Sequence, residues 1–222
     1  MASCVERCLV LGATGAIGAA LSARLPGAIR LSRADGLDWT RPDRAEEALS
    51  AAAASGPFDL IIDATGALVI DGRGPEKQLK AIDPHAMAVQ FAVNAIGPAL
   101  VFKHHDVLLP RSGRSVIATL SARVGSIGDN RLGGWVSYRA SKAALNQIVR
   151  TAAVEIARKR PEAIVVALHP GTVATPLSAP FVGSRGTQTP DMAAQRLIDV
   201  LKGLSPEDSG GFFAYDGSQI PY

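Results

Sequence analysis

The stretch Leu9-Val10-Leu11-Gly12-Ala13-Thr14-Gly15-Ala16-Ile17-Gly18 decides the fold. Cys8 to Leu11 is a short apolar run of strand type, and a helical pattern opens at Gly15 and runs to Leu25. Glycines at this spacing let the backbone turn tightly and approach a pyrophosphate, while the amides of the helix N-terminus face its negative charge. A tight strand-to-helix turn without a ligand would use the same residues, but here the motif opens the chain at its first strand, where a dinucleotide-binding domain keeps it. Gly12, Thr14, Gly15, Ile17 and Gly18 are therefore candidate cofactor contacts.

From this turn onward, short apolar runs alternate with longer helix-like stretches, the pattern of a parallel sheet with crossover helices. Ala28 to Ser32 reads as a second strand, and only Arg33, Ala34, Asp35 and Gly36 separate it from a third at Leu37, so a crossover helix is missing there. Pro42 opens an alanine-rich helix, and Phe58 to Asp63 is a buried strand. A helix is expected from Pro84 to Leu109, with Pro98 kinking it or replacing a hydrogen bond. Strands at Ser115 to Leu120, Ala163 to Leu168 and Gly211 to Tyr215 alternate with helices at Ser137 to Arg158 and Pro190 to Leu201. Thr175 to Thr189, with Pro176, Pro180, Gly183 and Gly186, is the best candidate for a mobile loop. The expected fold is α/β: one Rossmann-like domain over residues 1–222, a doubly wound parallel sheet of about seven strands.

A chain of 222 residues, 47% hydrophobic, fits one such domain. Its net charge of +3 comes from 23 Lys and Arg set against 20 Asp and Glu without a basic run, which argues against a nucleic-acid partner. Cys4 and Cys8 would lie about 13 Å apart along a strand, too far to bridge, and read as thiols of a reducing compartment. His104, His105 and His169 form no ligand set with carboxylates, so no metal is expected. No leader and no membrane-length apolar run stands out, which reads as a cytoplasmic protein with no membrane partner.

Tyr138 and Lys142, four apart at the head of a helix, share one face. An ammonium close to a phenol favours tyrosinate and is expected to lower the phenol's pKa, making it a usable acid or base. The second strand ends Ile29-Arg30-Leu31-Ser32-Arg33, with no carboxylate for ribose hydroxyls but with a cation, Arg33, able to hold a 2′-phosphate; NADP(H) is favoured over NAD(H). Trp135 is placed to line a substrate pocket or to pack, and Arg123 stands near the substrate entrance.

Taken together, these motifs resemble the short-chain dehydrogenase/reductase family, most closely its small C-factor and carbonyl-reductase-like members. The likeness runs through the Gly12 to Gly18 turn, Asp38, Asp63-Ala64-Thr65-Gly66, Asn94 in Val93-Asn94-Ala95-Ile96-Gly97, Ser121, Tyr138-Arg139-Ala140-Ser141-Lys142 and Pro170-Gly171-Thr172-Val173-Ala174-Thr175. The resemblance implies hydride transfer between a nicotinamide cofactor and a small carbonyl or alcohol substrate, by a homodimer or homotetramer. It makes Tyr138 the acid or base, Lys142 its tuner and a ribose ligand, Ser121 a hydrogen-bond donor to the substrate oxygen, and Asn94 the holder of a helix geometry and of a water leading from Lys142. Ser32 and Arg33 would meet the adenosine ribose, Asp38 the adenine, and the backbone of Ala64, Thr65 and Gly66 would pass under the ribose. Pro170, Gly171, Val173 and Thr175 would place the carboxamide. A dinucleotide-binding regulator without turnover is the alternative, against which intact Tyr138 and Lys142 speak.

The chain departs from the family pattern in its glycine spacing, in Asp63-Ala64-Thr65-Gly66, in the missing crossover helix, and at the serine. Counting back three residues from Gly125 lands on Ala122, one step past Ser121. In a regular strand that step turns a side chain to the opposite face. Ser121 brought round by an irregular strand end is favoured over Ser126, and over a site without this hydroxyl.

Overall fold

The computed structural model describes residues 7–176, 178–181 and 187–222; Cys4 and part of the Thr175 to Thr189 loop lie outside them. Six strands form one parallel sheet: β1 (Cys8–Leu11), β2 (Ile29–Leu31), β3 (Leu60–Asp63), β4 (Ser115–Leu120), β5 (Ala163–His169) and β6 (Phe212–Ala214), in the order β2-β1-β3-β4-β5-β6. The chain reverses its direction of winding at β1, and in such sheets ligands bind beyond the carboxyl ends of the strands at that point.

The sheet has six strands rather than the expected seven, and the missing one is the strand at Leu37. After β2 the chain makes a 3-10 turn at Arg33–Asp35, closed by Ser32 and Asp35 capping each other and by Gly36 at φ 91°. Leu37 and Trp39 then bury their side chains in the core instead of pairing with β2. With so few residues between Leu31 and Pro42, no crossover can form to return a parallel strand.

Strand alternation divides the core into two layers. Leu9, Leu11, Ile61, Ile117, Val165 and Ala167 face α2 (Pro42–Ala53), α4 (Gly97–Lys103) and α6 (Val136–Ala157). Cys8, Val10, Leu60, Ile62, Val116, Leu120, Ile164 and Leu168 face α1 (Ala16–Arg24) and α7 (Pro190–Gly203). This parity also governs which way polar residues at the strand ends point.

The helix expected from Pro84 to Leu109 is built in pieces: α3 (Pro84–Phe91), a π-helical turn at Ala92–Ile96, α4, and α5 (His105–Leu108). In the π turn the Gly97 N–H reaches back five residues to the Ala92 carbonyl. That wider turn absorbs the donor Pro98 lacks. Gly97 is fixed by packing, since a Cβ there would lie 2.4 Å from the Trp39 ring. The stretch 84–103 is long and apolar enough to cross a membrane by composition, yet it packs against α2 and α6.

Candidate active site

Two cavities open at the carboxyl ends of the strands. The first, about 570 Å³, is a groove lined by Gly12, Thr14, Gly15, Ser32, Arg33, Asp38, Ala64, Thr65 and Gly66. The second, about 450 Å³, is walled mainly by apolar side chains such as Leu68, Trp135 and Phe181, and takes in Ile17, Tyr138, Pro170, Gly171, Val173 and Thr175. The turn into α1 therefore touches both, and every sequence-predicted cofactor residue except Gly18 and Lys142 lines one or the other.

Gly18 acts from within the turn, because a Cβ there would stand 2.1 Å from the Gly12 carbonyl oxygen. Gly12 adopts φ 75°, a conformation open to glycine, and its amide donates to the Leu31 carbonyl. The N-cap of α1 is Gly15, which has no side chain to offer, and the first turn holds no acidic residue. The amides of Thr14, Ile17 and Gly18 find no partner in the turn's backbone network. Donors left open at a helix N-terminus suit a pyrophosphate, so these residues fit a dinucleotide.

At the adenosine end, Arg33 is exposed and makes no ion pair with the described residues. Ser32 is committed to Asp35, to which it donates through N–H at 2.9 Å and through its hydroxyl at 2.7 Å. Asp38 accepts from the Thr40 amide and hydroxyl and from Arg41, and the Thr40 hydroxyl is the main cause of its lowered pKa.

Tyr138 and Lys142 lie on one face of α6, and the chain before them is strained. Trp135 takes φ 54° directly after Gly133 and Gly134, also at positive φ, with its N–H held 2.5 Å from the Glu76 carbonyl. A bulky residue in this region signals a constraint set by its surroundings. Here it turns the indole against Tyr138 and Phe181, at ring separations of 6.2 and 5.4 Å. Glu76 also accepts from the Ser137 hydroxyl, tying the 71–78 loop to the helix start.

Burial pushes the Tyr138 phenol up to about 12, opposite to the direction expected from its lysine neighbour. Burial outweighs the lysine, whose ammonium donates to the Leu120 carbonyl at 2.7 Å and which has lost its proton by the pH at which the phenol titrates. Lys142 is itself 3% exposed, and burial lowers it to about 8 against the opposing field of Asp63. Asn94 is fully buried in the π turn. It accepts from the Ala67 amide at 2.9 Å and donates to Ala67, Gln90 and Ser141, pinning the loop after β3 to α3 and α6.

The expected irregular strand end at Ser121 is not found. The Ser121 amide continues the β4–β5 ladder to the Leu168 carbonyl at 2.8 Å, and Ala122 is extended at φ −144° and ψ 142°, so the strand end is regular. Leu120 faces α1 and α7, so Ser121 must face α6, where its hydroxyl donates to Asn146 at 2.7 Å. Ser121 and Ala122 both border the apolar cavity. The Ser126 hydroxyl is buried and accepts from the Asp129 amide. Ser121 thus reaches the cavity wall from a regular strand end rather than through a bulge.

Sequence reading missed Asp63, Trp135's backbone state and His169. His169 lines the apolar cavity beside Arg123, and burial lowers it to about 4, so it is neutral at neutral pH. Only the Asp63 departure from the family pattern gave any signal.

A family model described as short chain dehydrogenase matches residues 32–184. The C-signal protein of Myxococcus xanthus is 36% identical over 169 residues, covering 76% of this chain and 95% of that protein. A 1-hydroxy-2-glutathionyl-2-methyl-3-butene dehydrogenase of Rhodococcus sp. is 33% identical over 188 residues, covering 84% and 79%. Among solved structures, a short-chain dehydrogenase/reductase from Burkholderia multivorans with bound NADP superposes with a TM-score of 0.81 at 26% identity, covering 98% of this chain and 99% of that one. The chain belongs to the short-chain dehydrogenase/reductase family and is an NAD(P)-dependent oxidoreductase.

Proposed function

We propose that this enzyme reduces small, largely apolar carbonyl compounds with NADPH, or oxidises the matching alcohols. One observation carries the reading: Tyr138 stands in the wall of the apolar cavity one helical turn before Lys142, which is buried against Gly66 of the adjoining groove. A dinucleotide laid along the groove with its nicotinamide reaching the cavity would supply the hydride.

The residues of the chain then divide the remaining work. Tyr138 donates its phenolic proton to the carbonyl oxygen as negative charge develops there. A phenol held protonated by burial suits that direction better than proton abstraction. Lys142 supplies positive charge and binds the ribose. Gly12 to Gly18 hold the pyrophosphate, Arg33 the 2′-phosphate, and Asp38 with Ala64 to Gly66 the adenosine. Pro170 to Thr175 orient the nicotinamide, and Leu68, Trp135 and Phe181 exclude water. Tyr138 is the principal side-chain donor to the substrate oxygen, and the hydroxyl of Ser121, which lines the same cavity, is engaged by Asn146.

Ile96 on the π turn and Val154 on α6 are about half exposed, which supports a homodimer or homotetramer joined through these helices. Loss of NADPH absorbance against a panel of aldehydes, ketones and quinones tests the function. Turnover of an apolar carbonyl supports it, and tight NADPH binding with no turnover across the panel contradicts it.

A further inference from the structure

Asp63 ends β3 with its side chain on the α6 side of the sheet, 1% exposed. It accepts from the Thr65 amide at 3.0 Å, the Thr65 hydroxyl at 2.6 Å and the Thr119 hydroxyl at 3.2 Å. The Thr65 hydroxyl in turn accepts from the Trp39 indole N–H at 2.9 Å, so its own proton is directed at Asp63. A carboxyl group that accepts at both oxygens and donates at neither is surrounded as an anion.

A buried anion is costly unless a cation answers it. Lys142 is the one buried lysine among the described residues, and it has a single carbonyl acceptor. Its ammonium lies under Gly66, three residues after Asp63, where a Cβ would be 3.6 Å from Nζ. Thr119, which donates to Asp63, is followed at once by Leu120, which accepts from Lys142.

We propose that Asp63 is the counter-charge of Lys142, a positioning residue that holds the lysine as an ammonium beside Tyr138. The electrostatics agree in both directions: burial raises Asp63 while Lys142 opposes that rise, and burial lowers Lys142 while Asp63 opposes that fall. Few other titratable groups face Lys142. Its own helix carries Tyr138, and Arg139, which is tied to the Gly134 and Val124 carbonyls. The turn after β4 carries Arg123, paired with exposed Asp129. His85 of α3 and Lys103 of α4 pair at the surface with Asp71 and Glu46. His169 of β5 lies within the fields of Arg123 and Asp216.

A purely structural Asp63 would need only its Oδ1, which holds the turn to Thr65, and an asparagine keeps that oxygen. Asp63→Asn thus separates the turn from the charge. The test is the pH titration of lysine labelled at Cε with ¹³C, followed by NMR, with the Lys142 resonance assigned by its loss in Lys142→Met. Native Lys142 titrates near pH 8, and in Asp63→Asn its midpoint falls by about one pH unit or more. An unchanged or higher midpoint overturns the proposal. If Asp63→Asn does not fold, the carboxyl ¹³C signal of Asp63 in the native protein decides: an ionised carboxylate at pH 7 supports the pair, and a protonated one refutes it.

The consequence for turnover rests on the function proposed above, but the titration does not. Where substrate is turned over, the loss of activity at high pH moves down with the lysine midpoint. A shifted midpoint in a protein that reduces no carbonyl would leave the charge pair standing and remove the functional reading.

Discussion

Replacing Ser121 with alanine separates a catalytic hydroxyl from a structural one. In the structure that hydroxyl is buried and donates at 2.7 Å to Asn146 on α6. Its removal loses one neutral hydrogen bond and leaves the Asn146 oxygen without its donor, a cost of about 1–3 kcal/mol in stability. For a chain of this size each kcal/mol lowers Tm by about 2–4 °C. Had the hydroxyl been aimed at the substrate oxygen, turnover would instead fall by about 10²-fold or more, with little change in Tm. The assay is kcat with one accepted carbonyl substrate beside a thermal melt. Ser121→Ala is expected to melt several degrees lower and to keep kcat within a few-fold of the parent. A hundredfold loss of kcat at unchanged Tm refutes the parity argument.

In the function proposed above Lys142 works as an ammonium, and its pKa is lowered to about 8, so its charge is full below that pH and lost above it. The kcat/KM for reduction is therefore expected to fall above about pH 8, read from a profile at saturating NADPH; a flat profile to pH 10 would show that the charge is not needed. Arg33→Ala should weaken NADPH binding by about tenfold while sparing NADH, measured by fluorescence titration of both cofactors, because a charge-assisted contact to the 2′-phosphate is removed. Equal affinities for the two cofactors in the parent would remove the role given to Arg33.

Much of the fold can be read in the sequence because the signals are local. Gly12, Gly15 and Gly18 answer to steric demands within ten residues, and the apolar runs of the strands mark burial on both faces. The supposed strand at Leu37 misled because an apolar residue after a turn looks the same whether it joins a sheet edge or tucks into the core. Only the short connection to Pro42 could have told them apart. Pro98 signalled a break in helix bonding, but the π turn that accommodates it depends on packing against Trp39, distant in sequence. Tyr138 and Lys142 were visible from spacing, whereas the direction of the Tyr138 shift was not. That direction follows from the burial of the phenol, which only the folded chain produces. Ser121 required the register of β4 with β5 to be known. Asp63 was visible as a departure from the family pattern, but Thr119, which donates to it, and Trp39, which donates to Thr65, reach it only in the folded chain.

The measurement closest to the central claim is turnover and NADPH affinity of Tyr138→Phe, made side by side on the same preparation. Only the phenolic oxygen is removed, so the cofactor groove is left intact. The account predicts that NADPH binds as in the parent while carbonyl reduction falls by about 10²–10⁴-fold. Reduction at the parental rate with NADPH affinity unchanged would place the proton donor elsewhere and contradict the account.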